Sequence, residues 1–490
     1  MSVIMQKDVI EKWAKPINPQ DDVNLYPLDD FGSGQLFADT FSEIAKYVPD
    51  KGCWYVYDGV VWEEDARTDK VRRLARWIYK ELAKLDKTSD DMTDFLRWLS
   101  SRSGRNTMIK EAECISTAKS SDFDKSPNLF NCLNCTLDLD QLKTSKTLKP
   151  LDHNPKHMLT TKANAVYDPK AKSERWIRFV DEVMCDDADM VRYLQKSLGY
   201  SLSGDNSLEC LFLAYGPTTR NGKGTTFGTV LHLMGDYGKI LSPRILAQRS
   251  IDSNRPSPAL ARLSKARFVN VSEPDKGLKL NVGFTKVLTG RDTIDPRMLG
   301  KNPEEYQPQF IIYINTNHHL EIDDATLFDS DRAKMLLYSR HFEEIERDTG
   351  LKSELKTPEN ISGILNWLIE GYKFLLDEGL TPPKVAVDAL KKYRESADTI
   401  SLFMETMTTK TDDDKQREKT NTLYQVYKQW CSDYDTTAKS QKEFVAALRN
   451  KGLVERHGAD GHIVKSCQLK QTEQPAEQEP TPAPTPASAQ

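Results

Sequence analysis

The sequence predicts a mixed α/β protein of several domains with a largely parallel sheet at its centre. Three observations predict this class. The chain has 490 residues, about three times the usual domain length of roughly 150 residues. Strand-like and helix-like segments alternate between residues 206 and 380, which is typical of parallel sheets. Within that stretch, a short apolar strand leads directly into a glycine-bearing loop and a helix.

The composition excludes several classes of protein. Hydrophobic residues make up 38% of the chain and charged residues 29%, as in folded proteins. The 68 basic and 73 acidic residues leave a net charge of −5, which excludes a uniformly basic protein that coats nucleic acid. Local basic patches would have to make any such contact. No apolar stretch approaches the roughly 20 residues of a membrane span, so we expect no membrane partner and a cytoplasmic location. The 8 cysteines are scattered and are expected to be reduced.

Residues 1–115 are predicted to form an N-terminal α+β region. Strand-forming residues on both sides of Asp58 and Gly59 predict a hairpin. Apolar residues at helical spacing then predict a helix over residues 67–87. That helix carries eight basic and three acidic residues, a net charge of +5. The charge has two interpretations: a solvated helix face, or a surface that contacts a phosphate backbone.

Four further segments follow, namely residues 116–205, 206–380, 381–470 and 471–490. Residues 116–205 combine short strands with two helices. The later helix is predicted from Met190 to Leu198, with Gly199 as its end. Residues 206–380 are the α/β domain. The third has a helix, a second helix that starts with a capping box at Ser440, and a hairpin, which is the order of a winged-helix module. The last is rich in Pro, Ala, Gln and Glu, which predicts a disordered tail.

A phosphate-binding loop is the strongest signal in the chain. The strand Leu211–Tyr215 is followed by a glycine-bearing loop with a lysine and then by a helix, an arrangement that cradles phosphates with backbone N–H groups and one ammonium. The predicted nucleotide-binding residues are Gly216, Asn221, Gly222, Lys223, Gly224, Thr225 and Thr226. Gly224 stands where Ser or Thr usually holds Mg²⁺, so Thr225 is the predicted substitute.

Two later strands end in polar residues that suit nucleotide hydrolysis. The apolar strand after residue 266 ends in Ser272 and Glu273, so Glu273 is the predicted carboxylate for Mg²⁺ or the attacking water. A third strand ends near Asn317, whose amide would position water or contact the γ-phosphate; an Asx turn that closes the strand is the alternative. The histidines after Asn317 lack further ligands, and metal binding is not expected there.

A Cys-x-x-Cys pair precedes two histidines in the second segment. Cys132, Cys135, His153 and His157 have the residue types of a zinc site. Seventeen residues separate the two pairs, whereas a usual zinc finger has about twelve. The sequence therefore leaves zinc binding by these four residues open.

Several ordered motifs resemble one known family. They are Leu137, His153, Pro155, Thr160, Tyr167, Pro169, Trp176, Leu194, Gln195, residues 199–204, the phosphate loop, residues 286–292, Arg297, Thr316 and Asn317. In this order they resemble the phage, plasmid and poxvirus-type primase-helicase family, whose members contain superfamily-3 helicases, hexameric AAA+ motors of replication. The likeness is good over residues 120–345 and loose over residues 50–115. Only about 115 residues precede it, without paired metal-binding carboxylates, so primase activity is not expected.

The resemblance implies an AAA+ P-loop superfamily-3 core, an α-helical N-terminal region and a C-terminal winged helix. It implies that Lys223 binds the β- and γ-phosphates of ATP, that Thr225 and Glu273 hold Mg²⁺, and that Asn317 is the sensor. Arg332 falls where the family places an arginine that reaches the neighbouring subunit's nucleotide. The alternative role for Arg332 is an ion pair with Asp329 or Asp331.

DNA contacts are expected at two places. The resemblance implies a hairpin in the ring's channel that carries Arg297 and Lys301. In the winged-helix-like segment, the helix after Ser440 offers Lys442 and Arg449 to a DNA groove. Protein contact is the alternative role of such a module.

The expected function is an ATP-dependent replicative DNA helicase that encircles single-stranded DNA, unwinds forked duplexes and forms a homo-oligomer, a hexamer by resemblance. The expected location is the cytoplasm of a bacterium or of a phage host, with other replication proteins as further candidate partners. Two alternatives stay open: an origin-melting or helicase-loading ATPase, and a winged-helix regulator with a degenerate nucleotide site.

Overall fold

A computed structural model describes residues 7–470, apart from short gaps. The gaps are residues 16–24, 86–88, 248–257, 276–277, 297–304, 323–325, 398, 411–416, 435–437, 451, 458–460 and 466. The predicted disordered tail at 471–490 lies outside the described residues. The chain divides into two compact units, Met1–Lys391 and Lys392–Gln490. None of the helices in the described ranges is long and apolar enough to cross a membrane.

The first unit begins with helices around a three-stranded antiparallel sheet. Its elements are α1 (Lys7–Trp13), α2 (Asp30–Thr40), β1 (Ala45–Val48), β2 (Cys53–Tyr57), β3 (Trp62–Asp65), α3 (Asp69–Leu82), α4 (Asp90–Ser100) and α5 (Arg102–Ala112). The predicted hairpin is confirmed, because β2 pairs antiparallel with β3. Its aromatic residues enter the core, where Trp54, Tyr57 and Trp62 are buried. The region predicted to be helical thus also contains a sheet built on this aromatic run.

A second small sheet and two helices lead to the central domain. The elements are β4 (Leu129–Asn131), β5 (Thr136–Asp138), α6 (Asp140–Thr144), β6 (Pro150–Leu151), α7 (Glu174–Val183) and α8 (Ala188–Tyr200). The prediction that Gly199 ends α8 is wrong, because the helix continues to Tyr200. A Cβ at Gly199 would lie 2.5 Å from both the Leu368 carbonyl oxygen and the Tyr372 nitrogen. This glycine therefore permits close helix packing and does not terminate the helix.

The central domain is a five-stranded parallel sheet flanked by helices. Its elements are β7 (Leu211–Tyr215), α9 (Lys223–Met234), β8 (Gly238–Ile240), α10 (Pro258–Ala261), β9 (Phe268–Ser272), α11 (Val282–Thr289), β10 (Ile311–Thr316), α12 (Thr326–Asp329), β11 (Ala333–Leu337), α13 (Leu351–Glu354), α14 (Pro358–Glu378) and α15 (Lys384–Ala397). The strand order is β11-β7-β10-β9-β8. This mixed α/β architecture is consistent with a P-loop helicase core.

The strand order places a ligand crevice at β7. From β7 the chain crosses to β8 at one edge of the sheet, and after β10 it returns over β7 to form β11 at the other edge. Crossovers that change direction in this way leave an opening outside the carboxyl ends of the strands. The aromatic rings of Phe212, Phe227, Phe268 and Tyr313 pack beneath that opening and hold α9 against the sheet.

The second unit has its own aromatic core. Its elements from residue 399 onward are α16 (Thr399–Met407), β12 (Thr408–Lys410), β13 (Arg417–Lys419), α17 (Thr420–Asp433), α18 (Gln441–Asn450), β14 (Val454–His457), β15 (Gly461–Lys465) and β16 (Cys467–Leu469). Phe403, Tyr427 and Phe444 are fully buried in it. The predicted capping box is present, since the Glu443 carboxylate accepts a hydrogen bond from the Ser440 N–H at 3.0 Å. The predicted hairpin is also present as β14 and β15.

Candidate nucleotide site

Three strand ends and one helix start predicted for nucleotide binding meet at the carboxyl edge of the parallel sheet. Gly216 follows β7, Glu273 follows β9 and Asn317 follows β10, while Lys223 is the first residue of α9. Because β10 lies between β7 and β9, the end of β10 separates the loop after β7 from the carboxylate of Glu273. The structure therefore brings together residues that lie up to about a hundred positions apart in sequence.

Two glycines let the phosphate loop adopt its path. A Cβ at Gly216 would lie 2.5 Å from the Tyr338 carbonyl oxygen and 2.9 Å from Lys223 Nζ. Gly222 has a left-handed φ of +85° and would collide with Val183 if it carried a side chain. The N-terminus of α9 follows directly after this loop, and the Lys223 N–H there has only a long contact of 3.5 Å to the Asn221 side-chain oxygen. First-turn N–H groups of a helix are the donors that an anion site uses.

Lys223 is buried, with 6% of its surface exposed, and its ammonium has neutral oxygen partners. Nζ donates to the Asn317 side-chain oxygen at 2.6 Å and lies 3.4 Å from the Gly216 carbonyl oxygen. Burial lowers the pKa of Lys223 to about 8, although the charge of Glu273 opposes this shift. A buried cation whose hydrogen-bond partners among the described residues are neutral oxygens is well placed to accept an anion, because a phosphate would restore the electrostatic stabilisation lost on burial.

Glu273 is exposed beside this lysine and has an unusual backbone conformation. Its φ is +49°, in the left-handed region that non-glycine residues seldom adopt. The Glu273 N–H donates to the Asn315 carbonyl oxygen at 3.0 Å, which extends the pairing of β9 with β10 by one residue. This conformation turns the chain away from the sheet immediately after Ser272. Strain of this kind often accompanies functional residues.

A chain of buried side-chain amides links the end of β10 to the end of β9. The sequence did not predict this chain. The Asn315 amide donates to the side-chain oxygen of Asn270, whose own amide donates to the Ser272 hydroxyl at 3.0 Å. Both asparagines are 7% exposed, and the Asn315 side-chain oxygen has no hydrogen-bond partner among the described residues. The signal in the sequence was an asparagine inside an otherwise apolar strand. A buried polar side chain needs a hydrogen-bond partner, so this residue indicated a buried contact.

The threonines after Gly224 have different surroundings. Nothing lies within 4 Å of a Cβ built on Gly224, so this position faces open space. Thr226 is fully buried and its hydroxyl donates to the Gly222 carbonyl oxygen at 3.2 Å, within the first turn of α9. Thr225 is only half-buried. Of the two hydroxyls, that of Thr225 is therefore the more accessible to a ligand.

The segment after β11 braces the phosphate loop, which the sequence did not reveal. The Tyr338 N–H donates to the Tyr215 carbonyl oxygen at 2.7 Å, and the Phe342 N–H donates to the Arg220 carbonyl oxygen at 2.9 Å. His341 Nδ1 lies 2.8 Å from the Thr219 carbonyl oxygen. These contacts hold both ends of the loop, so its shape is set by a segment more than 100 residues later in the chain.

Arg332 lies at the opposite, amino edge of the sheet, immediately before β11. Its guanidinium donates to the Glu209 carboxylate at 2.5 Å and to the Thr289 hydroxyl at 3.3 Å. The alternative prediction, an ion pair of Arg332 with Asp329 or Asp331, is wrong. Arg332 pairs with Glu209, and Asp331 pairs with Lys334 at 2.5 Å. Glu209 precedes β7 by two residues, so the register of β7 with β11 brings it beside Arg332.

The predicted DNA-binding residues do not form one cluster in the described chain. Arg297 and Lys301 lie outside the described residues. Lys442 and Arg449 lie on α18 in the second unit and are exposed. They are seven positions apart, two helical turns, so they lie near the same face of α18.

The cysteine and histidine positions of the second segment are near one another. The Cys132 N–H donates to the Cys135 carbonyl oxygen at 2.8 Å across the tip of the β4-β5 hairpin. His153 Nε2 lies 3.4 Å from the Leu133 carbonyl oxygen at the same tip. Among the described residues, no group of three or more His, Cys, Asp or Glu side chains is arranged to hold a metal ion. Zinc binding thus stays a hypothesis from the sequence pattern.

Comparison with known proteins decides part of the family assignment. Residues 34–185 match the family described as "D5 N terminal like". This stretch is a D5 N-terminal-like domain. The domain runs from within α2 to the end of α7, and it precedes the nucleotide-site residues in the chain.

A viral relative extends the likeness beyond the D5 N-terminal-like domain. The protein named "Putative helicase L207/L206" of Acanthamoeba polyphaga mimivirus is 27% identical over 308 residues, which are 59% of this chain and 31% of that protein. This chain therefore spans about a third of that relative's length. Together with the D5 N-terminal-like domain, this homology confirms the resemblance to the primase-helicase family.

Two solved apo structures of the NrS-1 C-terminal region also align with the chain. Both are 11% identical to it and align with 86% of its length. The alignments cover 96% and 95% of the solved chains, with TM-scores of 0.46 and 0.47.

Proposed function

We propose that this protein is an ATP-dependent replicative DNA helicase of the phage and plasmid type. In this proposal the parallel sheet is an AAA+ superfamily-3 core that couples ATP hydrolysis in a homo-oligomeric ring, a hexamer by family resemblance, to movement along single-stranded DNA. The D5 N-terminal-like domain and the homology to a viral protein named as a helicase support a helicase-like role in replication.

One observation carries the proposal: the buried ammonium of Lys223 at the start of α9, paired with neutral oxygens beside Glu273. A nucleotide phosphate fits this position, since the helix N-terminus and the ammonium both favour an anion. Two buried oxygens in the same region have no hydrogen-bond partner among the described residues, the Thr218 hydroxyl and the Asn315 side-chain oxygen. Such oxygens are suited to a bound ligand or its water.

ATP and Mg²⁺ are the proposed cofactors. Lys223 would bind the β- and γ-phosphates, and the first-turn N–H groups of α9 would bind the remaining phosphate oxygens. The accessible hydroxyl of Thr225 and the carboxylate of Glu273 would hold Mg²⁺, which neutralises charge on the phosphates when bound. Asn317 would release Lys223 to the phosphate and orient the attacking water. Oxygen donors of these kinds are the ligands that Mg²⁺ prefers.

Arg332 is the proposed contact to the nucleotide of a neighbouring subunit. It lies across the sheet from its own phosphate loop, so a role in hydrolysis requires a second copy of the chain. Its ion pair with Glu209 would then open when the neighbouring nucleotide is bound. An arginine supplied in this way stabilises charge that develops on the transferred phosphoryl group.

The second unit is the proposed winged-helix module. Helices α17 and α18 followed by the β14-β15 hairpin have the order of that module, and α18 exposes Lys442 and Arg449. These residues would contact duplex DNA, while Arg297 and Lys301 would grip the strand in the ring's channel.

Strand displacement on a forked duplex with one free single strand, with and without ATP, tests the function. A helicase displaces the strand only with ATP. ATP turnover without displacement would instead favour an origin-melting or helicase-loading ATPase, and DNA binding without turnover would favour a regulator with a degenerate nucleotide site. Particle-mass measurement in the same buffers tests the ring.

A further inference from the structure

A basic stripe on α3 of the D5 N-terminal-like domain has no part in the nucleotide site. Arg72, Arg76 and Lys80 are four positions apart, and Arg73 lies beside them; all four are exposed. The opposite side of the helix is buried in the core of this region through Val71, Leu74, Ala75, Ile78 and Leu82. The helix is therefore fixed by its apolar face, and the four side chains, here called the basic face of α3, point to solvent.

Two acidic residues near α3 pair with lysines outside this face. Glu63 pairs with Lys70, and Glu81 pairs with Lys84 at 2.7 Å. Within the described part of the chain, Arg72, Arg76 and Lys80 take part in no ion pair. Like charges at four-residue spacing on a helix repel one another. Arg72, Arg76 and Lys80 therefore form a run of like charge that no ion pair among the described residues offsets, in a protein whose net charge is −5.

The neighbouring helices of the same domain differ. On α4, Arg97 pairs with Asp94 at 2.5 Å, and on α5, Lys110 pairs with Glu113 at 2.7 Å. Both are exposed basic residues with an acid three positions away, a common surface arrangement. A run of three basic residues at four-residue spacing without a described ion pair therefore distinguishes α3 from α4 and α5.

The shape of the stripe fits a phosphate backbone. From Arg72 to Lys80 it extends about 12 Å along the helix, over which one DNA strand presents three to four phosphates at about 3.4 Å each. Arginine binds phosphate oxygens with two parallel N–H groups. The aromatic residues of this helix, Trp77 and Tyr79, are half-buried against the core and do not offer a stacking platform. Single strands are usually held by such platforms, so the face fits duplex DNA better.

We propose that the basic face of α3 binds the phosphate backbone of duplex DNA without regard to base sequence, and so holds the duplex beside the fork. This inference rests on the proposed DNA-helicase function and assigns a substrate contact to the D5 N-terminal-like domain. Counterion release would make the contact strongly dependent on salt.

The test is fluorescence anisotropy of the full chain with a blunt labelled duplex over a series of salt concentrations. The variant Arg72→Gln/Arg76→Gln/Lys80→Gln is expected to bind about tenfold to a hundredfold more weakly at low salt. Its slope of log affinity against log salt should be shallower by about 0.9 for each lost contact, up to roughly 2.7. The matched control Arg97→Gln/Lys110→Gln removes two exposed charges of the same domain and should keep the wild-type slope.

Other outcomes overturn the inference. A triple variant with the wild-type slope on duplex would do so, as would an equal loss on an oligo-dT single strand, which would indicate a single-strand contact instead. Thermal unfolding and ATP turnover of the variants check folding; if the triple variant unfolds, each single substitution should still lower the slope by about 0.9. If wild type unwinds forks while the triple variant binds duplex normally, only this inference fails. If wild type unwinds nothing, the proposed function fails.

Discussion

Two cations at opposite edges of the parallel sheet, Lys223 and Arg332, are held differently. At the carboxyl edge, Lys223 is buried and contacts the neutral oxygens of Asn317 and Gly216. At the amino edge, Arg332 is 21% exposed and bound to the carboxylate of Glu209. A cation among neutral oxygens gains when a phosphate arrives, whereas a cation already neutralised by a carboxylate must first lose that partner. The first arrangement suits a permanent binding site and the second a contact that forms in only some states.

Removing the cation at the carboxyl edge should have the largest effect. For Lys223→Ala we expect loss of unwinding and a fall in ATP turnover of about a thousandfold, because the charge on the transferred phosphoryl group loses its buried partner. Steady-state ATPase and strand displacement measure both. Lys196→Met is the matched control, since Lys196 is also buried but bonds to Glu378 and Gly379. Unaltered turnover in Lys223→Ala would remove the phosphate-loop assignment.

The cation at the amino edge should act across subunits. Arg332→Ala and Lys223→Ala chains, each inactive alone, should regain up to about a quarter of wild-type ATP turnover when mixed in equal amounts, because a chain with intact Lys223 can then meet a neighbour with intact Arg332. Turnover of mixtures at several ratios, at constant total protein, measures this. Mixtures of the two variants that stay inactive at every ratio would restrict Arg332 to its ion pair with Glu209.

The amide chain at the carboxyl edge predicts an intermediate effect. Asn315→Ala removes the side chain that joins the end of β10 to Asn270. We expect ATP turnover to fall about tenfold, because a tenfold change in rate corresponds to a free energy close to the ~1 kcal/mol that one hydrogen bond contributes. The KM for ATP should change little, because Asn315 does not contact Lys223 directly. Asn206→Ala, a buried amide that bonds to Thr289 and Gly290, is the control. Equal losses in both variants would indicate a general packing defect.

Releasing Arg332 should have a smaller and opposite effect. In Glu209→Gln the ion pair no longer has to open, so turnover in the assembled ring should rise by up to about fivefold, the equivalent of ~1 kcal/mol for a partly exposed pair. Asp331→Asn, which breaks the neighbouring pair with Lys334, is the control. Turnover that falls in Glu209→Gln would mean that the ion pair positions Arg332 and does not restrain it.

The pH dependence of nucleotide affinity should show the smallest change. Burial lowers the pKa of Lys223 to about 8, so the ammonium is mostly present at pH 7 and mostly lost at pH 8.5. We expect ATP to bind about fourfold more weakly at pH 8.5 than at pH 7. The unfolded chain keeps this proton up to its ordinary pKa of 10.5, so the nucleotide-free fold should become more stable between pH 8 and 10.5. Titration of ATP binding and of urea unfolding, compared with Lys223→Met, checks both signs.

Much of the nucleotide edge was predictable from local sequence. A strand, a glycine-bearing loop and a helix occur consecutively, so Gly216, Gly222 and Lys223 could be assigned without the fold. Glu273 and Asn317 were predictable because polar residues that end apolar strands meet at one edge of a parallel sheet. The buried face of α3 was likewise predictable from its helical spacing, and the structure confirms it.

Other features were not predictable because their partners are distant in sequence. Gly199 looks like a helix end but accommodates the backbone of α14, about 170 residues later. The partner of Arg332 is Glu209, 123 positions away, and not a neighbouring aspartate. The packing of α8 on α14 makes the first contact and the pairing of β7 with β11 makes the second, and no local pattern encodes either.

The sequence by itself determined the chemical groups of this protein: a glycine-bearing loop with a lysine, a strand-end carboxylate, a strand-end amide and a positively charged helix. These follow from backbone periodicity and from the chemistry of single side chains, which act over a few residues. Only the tertiary structure decided which groups are paired. It placed Lys223 among neutral oxygens and Arg332 beside a carboxylate, and it left the basic face of α3 in solvent. Pairing depends on burial and on distances of a few ångströms, because both solvation and charge interactions change steeply over that range.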